Sequence, residues 1–160
     1  MKKKTLMLPC TMDDFNEITR DIVDFWGSDR TLYLHHPYLV YEFGNTAFVI
    51  KEKGQVIAYL FGFFSQTESV AYVHLLGVRE SCQRQGYGQM LYEHFINIAK
   101  QKGIKKLKAI TTPTNFKSVS FHKNKIGMTL LGQPDSNGIN VVKNYSGIDK
   151  DRVVFLKEIK

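Results

Sequence analysis

Hydrophobic positions change period several times along this 160-residue chain, and each change marks an element. Residues 3–9 are extended and apolar and predict a first strand stopped by Pro9. In 12–26, Phe15, Ile18, Ile22 and Phe25 recur at helical spacing, while Asp14, Glu17, Asp21 and Asp24 recur on another face. Thr11 with Asp14 three places on predicts a short-armed capping box, and the acid stripe reads as a solvated face. Gly27-Ser28-Asp29-Arg30 breaks that helix, and 31–42 predict a second, made imperfect by Pro37.

Period two then takes over. Residues 46–52 and 55–64 predict a hairpin around Lys53-Gly54, and 69–79 predict the next strand. From 86 to 102, Leu91, Phe95 and Ile98 keep helical spacing up to Gly103. Residues 105–111 predict a short strand, and Asn115 a cap for a helix over 116–125, ended by Gly127. Residues 132–150 read as a long loop with short extended pieces, and 151–159 as a final strand. No repeat, low-complexity tract or linker divides the chain.

Composition adds limits. A hydrophobic share of 43% is enough for one packed core, and no apolar run is long enough to span a bilayer. Met1-Lys2-Lys3-Lys4 looks like the start of a signal peptide. The apolar run after it is too short, and Asp13-Asp14 follow too soon, so a basic lead-in to the first strand is expected. Cys10 and Cys82, the two cysteines, form neither a zinc pattern nor a disulfide framework. They read as reduced thiols of a cytoplasmic protein without a metal.

The net charge of +7 is uneven. Residues 79–125 hold ten bases against Glu80 and Glu93, whereas 11–29 hold six acids against Arg20. Basic charge gathers around one stretch, Val73 to Gly88, where a strand runs through a polar turn into a helix opened by Gly86 and Gly88. A helix N-terminus offers unpartnered N–H groups and a positive dipole end, and glycine lets an anion approach. With Arg84 beside it, the stretch reads as a phosphate cradle. It lacks the third glycine of a dinucleotide fingerprint, since residue 91 is Leu. No Gly-Lys-Ser/Thr follows a glycine loop anywhere.

The run Val78-Arg79-Glu80-Ser81-Cys82-Gln83-Arg84-Gln85-Gly86-Tyr87-Gly88 resembles the acyl-CoA loop of the GNAT superfamily of N-acetyltransferases, Gln/Arg-x-x-Gly-x-Gly/Ala. Asn115-x-x-Ser118-x-x-Phe121-His122, then Ile126-Gly127-Met128, resembles that family's second conserved segment, at matching separation. The resemblance covers about 45–131 well. The tail from Lys143 to Phe155 is similar to a bacterial branch. The resemblance implies a single α/β (α+β) domain over 1–160. Its sheet would be central, mixed and largely antiparallel, with about 6–7 strands flanked by about four helices.

It further implies acetyl-CoA as acetyl donor. The backbone of Leu76 and Val78 would pair with the pantetheine arm. The amides of Gln83, Arg84, Gln85, Gly86, Tyr87, Gly88 and Gln89 would hold the pyrophosphate, and Asn115 and Ser118 would face the far end of the cofactor. Lys105, Lys106, Lys108 or Lys117 could meet a 3′-phosphate, although a solvated face is the simpler reading.

Direct transfer to an amine needs a neutral amine, donors for the oxyanion and a proton for the thiolate. His74 shares strand parity with Leu76 and Val78 and is the first candidate base, ahead of Glu68. His122 stands where many family members carry Tyr, and one extra residue separates it from Gly127. It is the candidate for assisting thiolate departure, with Tyr145 as an alternative. The acceptor is a primary amine on a small molecule, peptide or protein. A non-catalytic acyl-CoA-binding module is the alternative reading. A nucleic-acid partner ranks last, no membrane partner is expected, and a homodimer is common in the family.

Overall fold

The computed structural model describes residues 5–160. Positions 3 and 4 of the expected first strand lie outside them. Thr11 starts the first helix with the expected reciprocal cap. Its Oγ1 accepts from the Asp14 N–H at 3.1 Å, and Asp14 accepts from the Thr11 N–H at 3.0 Å. The helix is not continuous to 26. It runs as α1 (Met12–Arg20) and α2 (Ile22–Trp26), broken at Asp21, and ends at Gly27 in the left-handed region. The expected helix over 31–42 is instead two short turns, a 3-10 turn at Leu32–Leu34 and α3 (Tyr38–Tyr41). Pro37 disfavours helical backbone at the residue before it, which separates them.

Two compact units partition the chain. One comprises the chain up to Phe63 together with His74–Phe95, and the other comprises Phe64–Val73 with Ile96–Lys160. The first unit contains β1 (Leu6–Pro9), β2 (Ala47–Glu52) and most of β3 (Gln55–Phe64). Antiparallel pairing joins β1 to β2 and β2 to β3, with a bulge at Ile50/Lys51. Lys53 and Gly54 both take positive φ, as a tight primed hairpin turn demands. Phe15, Ile18, Phe25, Leu39, Val49, Tyr59, Phe61 and Leu75 form its core.

The strand β4 (Val70–Val78) begins in the second unit and ends in the first. In the second unit, Val70–Val73 pair in parallel with Lys106–Ala109 of β5 (Lys106–Thr111). Antiparallel to β5 lies β9 (Val153–Glu158), which also pairs with β6 (Thr129–Leu130). The principal sheet has the order β1-β2-β3-β4-β5-β9-β6, and β7 (Gln133–Pro134) with β8 (Asn140–Val141) forms a separate ribbon. This is the expected mixed α/β arrangement. The long helix α4 (Tyr87–Gln101) buries Leu91, Phe95 and Ala99, and Gly103 stops it with positive φ.

The last helix departs from expectation. Asn115 caps α5 (Phe116–Ser120), but Phe121–Ile126 continue as a π turn. A π turn absorbs one residue beyond α-helical spacing, which accounts for the extra residue between His122 and Gly127. Among the described residues, no helix is long and apolar enough to cross a membrane.

Candidate active site

Alternation along β4 sets the first unit's site. Tyr72, His74, Leu76 and Val78 are half-buried, while Val73, Leu75 and Gly77 are buried on the opposite face. Parity thus places His74, Leu76 and Val78 together, as the sequence indicated. Beyond Val78 the chain makes a 3-10 turn at Glu80–Cys82. Arg84 takes φ 64° and Gly86 φ 88°, and α4 then begins at Tyr87. A side chain at Gly86 would meet nothing within 4 Å, so the backbone there is open to an approaching group. The Met90 N–H donates to the Gly86 carbonyl at 3.0 Å. That bond closes the first turn of α4, and the N–H groups of Tyr87, Gly88 and Gln89 lie in that turn. The Gln83 side chain turns back, Nε2 donating to the Val78 carbonyl at 3.1 Å.

The His74 Nε2 donates to the Leu34 carbonyl at 3.1 Å. A carbonyl can only accept, so Nε2 carries the hydrogen and Nδ1 keeps the lone pair. Burial pushes the His74 pKa down, opposed by that hydrogen bond.

Behind this strand lies a chain of polar groups that sequence reasoning missed. Trp26 Nε1 donates to the Tyr59 hydroxyl at 2.6 Å, which donates to His35 Nε2 at 2.7 Å. His35 Nδ1 donates to the Thr31 carbonyl at 2.8 Å. Burial holds His35 neutral, its pKa lowered to about 4. Tyr33 and Tyr41 of the same segment are exposed.

The acid stripe is not simply a solvated face, because its carboxylates are paired with cations. Asp14 is buried and pairs with Lys51, and Glu17, Asp21 and Asp24 converge on Arg79. The missed signal was strand parity: Arg79 continues the buried series 73, 75, 77, so its charge required partners inside.

The second unit holds Asn115, Ser118 and His122. Asn115 Oδ1 accepts from the Ser118 N–H at 3.2 Å. His122 Nδ1 donates to the Ser118 carbonyl at 2.8 Å and lies 3.2 Å from the Ser118 hydroxyl. Its ring stacks on Phe155 with centroids 4.4 Å apart. Burial lowers its pKa to about 4. Glu68, the weaker base candidate, is exposed and lies 4.0 Å from Lys108 Nζ, which in turn sits over the Tyr145 ring. Among the described residues, no group of three or more His, Cys, Asp or Glu is placed to hold a metal ion.

Comparison with known proteins follows the same lines. The profile of the acetyltransferase (GNAT) family matches residues 12–128. Comparison with curated proteins gives no significant match. Similar solved structures include Ard1 from Thermoplasma volcanium, at 17% identity and a TM-score of 0.75, covering 98% of each chain. The ribosomal-protein-S18-alanine N-acetyltransferase from Escherichia coli is 16% identical with a TM-score of 0.68, covering 98% of this chain and 95% of that one. An aminoglycoside 6′-N-acetyltransferase complexed with coenzyme A is 12% identical with a TM-score of 0.65, covering 97% of each. The family profile takes in the strand, the loop, α4 and the helix at 116, and on that footing this chain belongs to the acetyltransferase (GNAT) family as an N-acetyltransferase.

Proposed function

We propose that the protein transfers an acetyl group from acetyl-CoA directly to a primary amine, with His74 as the base. The observation that carries this reading is the run from β4 to α4. A half-buried strand face bearing His74, Leu76 and Val78 leads into a turn with left-handed Arg84 and Gly86, then the N-terminus of α4. Successive N–H groups in such a turn form an anion-binding concavity, which the helix dipole reinforces. Gln83, Arg84, Gln85, Gly86, Tyr87, Gly88 and Gln89 would hold the pyrophosphate, and the backbone of Leu76 and Val78 the pantetheine arm.

Bound acetyl-CoA supplies an activated acetyl thioester, so no enzyme nucleophile is needed. His74 Nδ1 accepts the amine's proton, directly or through water. Its low pKa keeps it neutral at pH 7, and the Leu34 carbonyl fixes the tautomer. The N–H of Leu76 is the proposed donor to the thioester oxygen as charge develops there. Asn115 and Ser118 are proposed to meet the far end of the cofactor.

His122 enters as a neutral imidazole. With its pKa near 4 and its Nδ1–H spent on Ser118, it assists the thiolate by contact rather than by delivering a proton. Tyr145 is the proposed proton source.

Two free thiols, a buried Cys10 and a half-buried Cys82, fit a reducing bacterial cytoplasm, where we place the protein. We assign it no membrane or nucleic-acid partner and carry a homodimer as the family's common assembly. A thiol-release assay with acetyl-CoA over a broad amine library tests the reading. Turnover with at least one amine supports it. CoA binding without turnover would make the chain an acyl-CoA-binding module instead.

A further inference from the structure

Arg79 stands where β4 hands over to the loop, and it is 4% exposed. Four of its five N–H groups have partners: Nε meets the Val56 carbonyl at 2.6 Å, Nη1 meets Asp24 at 2.9 Å, and Nη2 meets Glu17 at 3.0 Å and Asp21 at 2.9 Å. Its guanidinium carbon lies 4.6 Å from the centre of the Phe25 ring. The main chain is tied as well. Its N–H donates to the Ile57 carbonyl, and its carbonyl accepts from the Cys82 N–H, both at 2.9 Å.

These partners are themselves structural joints. Glu17 also accepts from the Val56 N–H at 2.7 Å, and Asp21 is the residue at which α1 ends and α2 begins. One side chain therefore fastens α1, α2 and β3 to the root of the loop. Beyond it the Gln83 side chain is tied back to the strand end, Nε2 donating to the Val78 carbonyl at 3.1 Å. Glu80, Ser81, Arg84, Gln85 and Gly86 are exposed, and the Gln83 N–H reaches the Glu80 carbonyl only at 3.4 Å. Arg79 thus fixes the point at which the loop leaves β4.

We propose that Arg79 is a positioning residue for acetyl transfer, holding the amides of Gln83–Gln89 in the arrangement that accepts the acetyl-CoA pyrophosphate before it arrives. The inference rests on the cofactor placement proposed above. It explains three carboxylates around one buried guanidinium at a site where an apolar side chain would serve packing alone. A loop set in advance gives up less conformational freedom on binding.

The test is calorimetric titration with two probes, CoA and pantetheine, the second lacking the pyrophosphate. Wild type binds CoA the more tightly. In Arg79→Met that preference falls by about tenfold, pantetheine affinity is unchanged, and Arg79→Lys recovers part of the loss. A wild type that binds both probes alike would overturn the cofactor placement. A wild type that discriminates, with a folded Arg79→Met that discriminates equally, would overturn the role of Arg79 alone. Should Arg79→Met not fold, Asp24→Asn and Glu17→Gln decide. Each removes one charge-assisted bond and lowers the preference by roughly two- to fivefold, and an unchanged preference in both refutes the inference.

Discussion

The ring of Tyr59 occupies the space a side chain at residue 77 would need. A Cβ built on Gly77 would lie 2.6 Å from Tyr59 Cε1 and 2.9 Å from its hydroxyl oxygen. Tyr59 is fully buried and held by Trp26 and His35, so it cannot give way. Gly77 is thus a steric requirement of the strand that carries His74 and Leu76, with no call on glycine's backbone freedom.

Gly77→Ala should therefore lower stability by about 1–3 kcal/mol, the usual range for overpacking. Tyr59→Phe should cost about 1–3 kcal/mol for a different reason, since it leaves the Trp26 N–H and the His35 acceptor without a partner. Tyr59→Leu in the Gly77→Ala background should recover part of the alanine penalty, because the two residues compete for one space. Urea denaturation of Gly77→Ala, Tyr59→Leu and their double variant measures this coupling, and strict additivity would contradict it.

His74 sets the pH profile. As a base it must be neutral, so kcat/KM should rise with pH along an acid limb whose midpoint lies below about 6.5, since burial lowers the group. His74→Gln should reduce kcat/KM by roughly 10²-fold and abolish that limb. A limb that survives the substitution would assign it to another group and return His74 to a structural role.

Much of this was legible because periodicity and caps are local. Thr11–Asp14, Lys53-Gly54 and Gly103 each act within a few residues, and each acts as the pattern implied. The passage from β4 through a turn into α4 was legible because a polar run with two glycines between periodic segments is a local signal. What escaped were contacts across long sequence separation. Arg79 lies 55–62 residues from its carboxylates, and Tyr59 bonds to His35 and Trp26 from the middle of an apolar strand. The acid stripe looked solvated because nothing local revealed a buried cation opposite it. The helix over 31–42 failed because Pro37 outweighed the apolar spacing around it.

Acid should weaken the fold through two histidines. His35 and His122 are each held to about 4 against an ordinary value near 6.5. Between those values the unfolded chain binds protons that the native one refuses. The stabilisation is therefore complete above about pH 6.5 and is lost as pH falls toward 4. Each group contributes a slope of up to about 1.4 kcal/mol per pH unit in that window. His122→Phe, which keeps a ring against Phe155, should flatten the dependence by one proton. It should also lower kcat by about threefold and evenly across pH 6–9, as the loss of a contact without the loss of a proton donor would. Urea denaturation at pH 7.0, 5.5 and 4.5 reads the first effect, and a pH-dependent loss of kcat would restore His122 as an acid.

The π turn is a one-residue insertion, and it should be removable. The His122 carbonyl takes the N–H of both Gly127 and Met128, while Lys123, Asn124 and Lys125 face solvent. Deleting Asn124 would return His122 and Gly127 to the shorter spacing, and the side-chain bond it forfeits is a surface one to Ser120. Ile126 and Met128 remain available to the core. A deletion within a regular helix behaves differently, because every following residue rotates by about 100°. Removing exposed Glu93 from α4 would turn Phe95 and Ala99, both fully buried, away from the core. Expected, then, is an Asn124 deletion that folds with a Tm within about 5 °C of the parent, beside a Glu93 deletion that loses cooperative unfolding. Thermal melts followed by circular dichroism compare them. If the Asn124 deletion unfolds as readily as the Glu93 deletion, the π turn is required by the packing of this helix and is no tolerated insertion.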